Sequence, residues 1–114
     1  MDQLSQPHIL VLDPDPSIRV LLTAVLRHNG LRVTSCSSER DATRCLGSDS
    51  YAAVILSSDV LGFGALLRGM SPAQRPKIIL AATRERMPSD GEADVVLMKP
   101  IHLAELVAAT AIGK

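Results

Sequence analysis

Four short aliphatic runs constrain this chain more than anything else in it: Ile9-Leu10-Val11-Leu12, Val54-Ile55-Leu56, Ile78-Ile79-Leu80 and Val95-Val96-Leu97-Met98. Continuous apolar runs of this length, spaced by helical or loop segments, fit strands buried on both faces of a parallel sheet. Such sheets gather their chemistry in the crevice beyond the carboxyl ends of the strands. Asp13, Ser57, Ala81 and Lys99 stand directly after, or at the tail of, these runs and are therefore expected to meet in one place. That place would hold one acid, one hydroxyl, one methyl and one ammonium.

The segments between the runs supply the helices. Asp15 is placed to cap, Pro16 sits at a first helical position where its missing N–H costs nothing, and Gly30 ends the run. Between them Ile18, Leu21, Leu22, Val25 and Leu26 fall on one stripe expected to face the sheet. Leu31 to Cys36 alternates more than the other strands and suits an edge. Ser38 to Leu46 reads as a short helix with Ala42, Cys45 and Leu46 inward and Glu39, Arg40 and Arg44 outward; Gly47-Ser48-Asp49-Ser50 reads as a turn. Ala65 to Arg68 has room for a brief helix only. From Thr83 to Gly91, Pro88 and Gly91 interrupt a stretch without an apolar stripe, so a helix there should be vestigial or absent. A last helix is expected from about His102 to Ala111.

The ordered set of motifs resembles the receiver domain of two-component response regulators, from about His8 to Ala111. Ile9 to Arg19 is similar to the family's first strand, acidic loop and first helix start. Tyr51-Ala52-Ala53-Val54-Ile55-Leu56-Ser57 resembles the third strand, and Lys77-Ile78-Ile79-Leu80-Ala81-Ala82 the fourth. Ala93 to Pro100 resembles the fifth strand with its Lys-Pro, and His102-Leu103-Ala104-Glu105-Leu106 the last helix. The resemblance implies a (βα)5 flavodoxin-like, CheY-like three-layer fold with a parallel five-stranded sheet of order 2-1-3-4-5. It also implies a cis Lys99–Pro100 bond. The third helix would be shortened and the fourth vestigial or missing, since the 18 positions from Ala81 to Lys99 are fewer than a receiver ordinarily has there.

Departures from the pattern fall on its reactive set. The resemblance places two adjacent acids after the first strand, and here Asp13 is followed by Pro14. Ser57 stands where the phosphoacceptor aspartate belongs, Ala81 where a Ser or Thr follows the fourth strand, and Val96 where the fifth strand carries an aromatic. A working receiver needs a carboxylate nucleophile, acids that hold Mg²⁺ and a lysine that balances the transferred group. Asp13 and Lys99 alone sum to zero charge, which removes the electrostatic demand for the ion and leaves the two free to pair. Mg²⁺ binding is therefore expected to be lost or weak, with no other cofactor.

Weaker candidates have simpler readings. Ser57 lacks an adjacent base to activate it and fits a small polar strand terminus bonded to Lys99 or Asp13. Asp59 could be a displaced acceptor but fits a solvated acid on the exit loop, and Asp15 fits the helix cap better than a metal ligand. His8, His28 and His102 are scattered over different elements as surface or strand-edge residues. Cys36 and Cys45 could form a disulfide, but two thiols in a chain without an export signal fit reduced, packed residues. Arg75, Lys77, Arg84 and Arg86 form a modest basic cluster, either solvated or facing an acidic partner.

Composition excludes several classes. The 114 residues suit a single domain (1–114), and 46% hydrophobic with 21% charged residues is globular. Zero net charge gives no bulk electrostatic case for nucleic acid or an anionic membrane. No apolar run approaches the roughly 18 to 20 residues of a membrane span. The expectation is a cytoplasmic, bacterial, non-enzymatic pseudo-receiver acting by phosphorylation-independent protein–protein interaction. Its pocket would be Asp13, Pro14, Ser57, Ala81, Lys99 and Pro100, and its interaction surface Arg84, Arg86, Val96 and Ile101. The partner would be a signalling protein or a second copy of the chain. The alternatives are a receiver still phosphorylated by a histidine kinase, and a small-ligand binder using the vacated pocket.

Overall fold

A computed structural model describes residues 6–57, 67, 69–71, 75–83 and 93–110, apart from the Leu103 side chain. In chain order the elements are β1 (His8–Leu12), α1 (Pro16–His28), β2 (Arg32–Cys36), α2 (Glu39–Ser48), β3 (Ala53–Ser57), β4 (Lys77–Ala82), β5 (Val95–Met98) and α3 (Leu103–Ala109). The strands form one parallel sheet of order β2-β1-β3-β4-β5. This is the expected flavodoxin-like order, with the alternating Leu31–Cys36 segment on one edge.

Side chains of each central strand alternate between two apolar layers, as pleating demands. Ile9, Val11, Ile55 and Ile79 point to the layer that α1 and α3 cover with Leu22, Leu26, Leu106 and Ala109. Leu10, Leu12, Val54, Leu56, Ile78 and Leu80 point to the opposite layer with Ala42 of α2 and Leu67. Ile9 to Leu12, Val54 to Leu56 and Ile78 to Leu80 are at most 2% exposed, so their unbroken apolar character follows from having no wet face.

The Val95–Met98 run departs from the expectation of burial on both faces. Val95 and Leu97 turn to the α1/α3 layer, whereas Val96 and Met98 are each 39% exposed. β5 is the outer strand of the sheet and has a partner on one side only. Asp94 fastens its start to β4: its N–H donates to the Ile78 carbonyl at 2.9 Å and its Oδ2 accepts the Ile78 N–H at 2.7 Å.

Helix α1 begins and ends as its punctuation dictates. The Ser17 N–H donates to Asp15 Oδ1 at 2.9 Å with Pro16 at the first position. Gly30 adopts φ +83°, which lets the Gly30 N–H reach the Arg27 carbonyl (3.0 Å) and the Leu31 N–H the Leu26 carbonyl (3.1 Å). The apolar stripe is narrower than expected, because Leu21 is 49% exposed. At 100° per residue it lies about 120° from the line midway between the buried Leu22 and Leu26, outside the contact arc. Helix α2 is capped by the Ser38 hydroxyl and runs on through Gly47 and Ser48, which the composition had marked as turn residues. The Ser48 hydroxyl turns back onto the Arg44 and Cys45 carbonyls and lets the last turn hold. Leu67 is helical and fully buried; the rest of the expected third helix, and the region of the vestigial fourth, lie outside the described residues.

Candidate functional site

Parallel register brings the strand ends together. Leu12 pairs with Leu56, Ser57 with Ala81, and Ala82 with Met98, while the Lys99 N–H donates to the Ala82 carbonyl at 2.8 Å. Asp13, Ser57, Ala81 and Lys99 therefore line one end of the sheet. Asp13 is 4%, Ser57 1% and Ala81 2% exposed. Pro14 and Pro100 are exposed at the rim, and the Lys99–Pro100 bond is cis.

Both carboxylate oxygens of Asp13 are engaged. Oδ1 accepts the Asp15 N–H at 2.9 Å, and Oδ2 faces Lys99 Nζ at 4.0 Å. The Asp13 N–H donates to the Cys36 carbonyl at 3.2 Å, so the backbone of this loop is tied to β2. Ser57 is also partnered. Sequence reasoning missed Arg19. Its Nη1 reaches back from the first turn of α1 to the Asp13 carbonyl (2.7 Å) and the Pro14 carbonyl (3.1 Å), pinning the loop from the helix side. A basic residue six positions after a strand-ending acid was the available signal, but an exposed helical arginine gives the same pattern.

Other expected residues fall elsewhere. Val96 is exposed on β5, while Ile101 packs partly against the α1/α3 layer beneath it. Arg84, Arg86 and Asp59 lie outside the described residues. Arg75 meets Asp94 at 3.5 Å. His28 and His102 are exposed, but His8 is not a surface residue. Its ring binds Thr34 Oγ1 through Nε2 at 2.8 Å, faces Asp49 Oδ2 at 3.2 Å through Nδ1, and lies tilted by 43° to the Tyr51 ring with centroids 4.4 Å apart. This cluster is at the opposite end of the sheet from Asp13. Burial, then the Arg32 charge, pull the His8 pKa below its usual value against the opposing Asp49 carboxylate.

No protein-family model matches the chain. It is 30% identical over 118 aligned residues to the two-component response regulator ORR12 of Oryza sativa subsp. japonica, covering 90% of this chain and 94% of the relative. The chain belongs to the two-component response regulators. It is also 31% identical over 114 residues to the transcriptional activator protein PfeR of Pseudomonas aeruginosa, covering 94% of this chain but only 37% of that protein. Among solved structures, a CheY-like response regulator receiver domain from Methylobacillus flagellatus superposes with a TM-score of 0.80 over 93% of this chain and 99% of its own, at 16% identity. At that identity the likeness is one of fold. The receiver fold of this chain is thus established, and no helix among its described residues is long and apolar enough to cross a membrane.

Proposed function

We propose that this receiver is degenerate and signals through phosphorylation-independent contact with another protein. The observation that carries the proposal is the engagement of Asp13 by Lys99 and by the Asp15 N–H, beside Pro14, Ser57 and Ala81. A receiver's acids must hold Mg²⁺ through oxygen ligands whose charge offsets dehydration of a reluctant ion. Here one carboxylate faces one ammonium, the neighbouring position carries a proline ring, and the acceptor position carries a hydroxyl. The donor set does not fit the ion. With the charge balanced internally, the pocket is expected to stay in one state.

The surface we propose for the partner is the outer face of β5. Val96 and Met98 are exposed there beside a groove of about 760 Å³ that also borders Lys99, His102 and Glu105. An amide NMR titration tests the proposal. Mg²⁺ followed by beryllofluoride should leave the spectrum unchanged, whereas saturable shifts at Asp13, Ser57 and Lys99 at millimolar metal would refute it. Incubation with acetyl phosphate addresses the rival reading directly: an acyl phosphate on Asp59, detected by mass, would make this a working receiver. Sedimentation distinguishes a second copy of the chain from a different protein as the partner.

A further inference from the structure

Cys36 closes β2, and Cys45 lies on the sheet-facing side of α2. Both line a cleft of about 440 Å³ with Arg19, Asp41 and Arg44, and Cys45 packs against the same apolar cluster that buries Cys36. Both are free thiols; Cys36 is 7% exposed and Cys45 is half-buried. The pair is adjacent to the Asp13 loop, because the Cys36 carbonyl accepts the Asp13 N–H and Arg19, on the wall of the cleft, holds the Asp13 carbonyl.

We propose that Cys36 and Cys45 are a reversible dithiol–disulfide site, oxidised by small disulfides, whose state is transmitted to the Asp13 loop through the Cys36 carbonyl. Cys45, the more accessible thiol, attacks one sulfur of a small disulfide. The S–S bond of the small molecule breaks, one thiol leaves with the proton that Cys45 gives up, and a mixed disulfide remains. Cys36 then attacks the Cys45 sulfur, its proton passes to the departing thiolate, and a Cys36–Cys45 bond replaces the mixed disulfide. The protein loses two hydrogens and the small disulfide becomes two thiols, so atoms and electrons balance.

The closing step is slow at neutral pH. Burial, reinforced by Cys45, pushes the Cys36 thiol up to about 12, and only the thiolate attacks. Its rate should therefore rise about tenfold for each pH unit near neutrality.

The test treats the whole chain, native, with excess oxidised glutathione and reads intact mass, a non-reducing peptide map and amide NMR. The expected product is lighter than the parent by two hydrogens, carries no glutathione, joins the Cys36 and Cys45 peptides, and returns to the parent with dithiothreitol. Its Asp13 amide resonance should move. Cys36→Ser should instead trap a stable glutathione adduct on Cys45. Mixed disulfide that persists on the parent protein even when the pH is raised by two units, or thiols that stay reduced while a control dithiol oxidises, would overturn the proposal. So would a crosslinked protein with an unmoved Asp13 amide. The parent's mass and spectrum decide the matter even if the variant fails to fold.

Discussion

Replacing Lys99 by methionine keeps the aliphatic stem and removes only the charge, leaving the Asp13 carboxylate at the end of the sheet with one N–H donor. The Asp13 side chain is 5% exposed and Lys99 26%, with 4.0 Å between Oδ2 and Nζ. At that separation the attraction is about 4 kcal/mol for an effective dielectric of about 20. Solvent at Lys99, desolvation of both groups and the surviving Asp15 N–H reduce what is lost on substitution to about 2 kcal/mol, below the roughly 3–5 of a fully buried pair. For a chain of this length that is a fall in melting temperature of about 8 °C. Asp13→Asn keeps an acceptor for the Asp15 N–H and leaves a partly solvated ammonium, so it should cost about half as much. Asparagine leaves Lys99 nothing to neutralise, so the double variant should cost about 2 kcal/mol less than the sum of the single changes. Urea unfolding of the four proteins at pH 7, at low and at high salt, measures this. Additivity to within about 0.3 kcal/mol, or a Lys99→Met protein as stable as the parent, would show that the pair contributes nothing. Lys99 would then be available to a ligand, and the small-ligand reading of the pocket would gain over the interaction module.

Three further outcomes are expected. Ser57→Asp alone should remain unlabelled by acetyl phosphate, because Pro14 withholds an acid and Ala81 a hydroxyl; only Pro14→Asp, Ser57→Asp and Ala81→Thr together should give an acyl phosphate detectable by mass. Since the folded pKa of His8 is lowered from 6.5 by burial, the unfolded chain binds the proton more readily. Stability should therefore decline as pH falls below about 6.5, and His8→Gln should flatten that part of a urea-midpoint profile. Asp15→Ala, which removes the acceptor for the Ser17 N–H, should cost about 1 kcal/mol in the same unfolding assay, with no effect on the Lys99–Asp13 coupling.

Much of the architecture can be read from local chemistry. The central strands announce themselves because burial on both faces permits no polar residue, and Asp15, Pro16 and Gly30 mark the limits of α1 because each satisfies or spares a backbone group at a helix end. The residues at the strand ends follow from the same logic, since parallel strands that start in register end together. What failed was whatever depended on a neighbour distant in sequence. Leu21 matches the apolar period yet lies outside the arc that the sheet covers. Val96 and Met98 are as apolar as the central strands, but β5 has a partner on one side only. His8 looked like a stray histidine until β2 and the turn before β3 brought Thr34, Asp49 and Tyr51 around it.

By itself, the sequence determined the parallel sheet, the limits of α1 and the identity of the groups at its functional end, because hydrophobic continuity, capping and residue type are local properties. Only the tertiary structure decided which of those groups touch. It set the 4.0 Å between Lys99 and Asp13, the reach of Arg19 to the Asp13 carbonyl and the cleft that Cys36 and Cys45 share. Those pairings depend on the distance and orientation between elements. These are set by how the two layers pack on the sheet, a quantity that no stretch of chain carries alone.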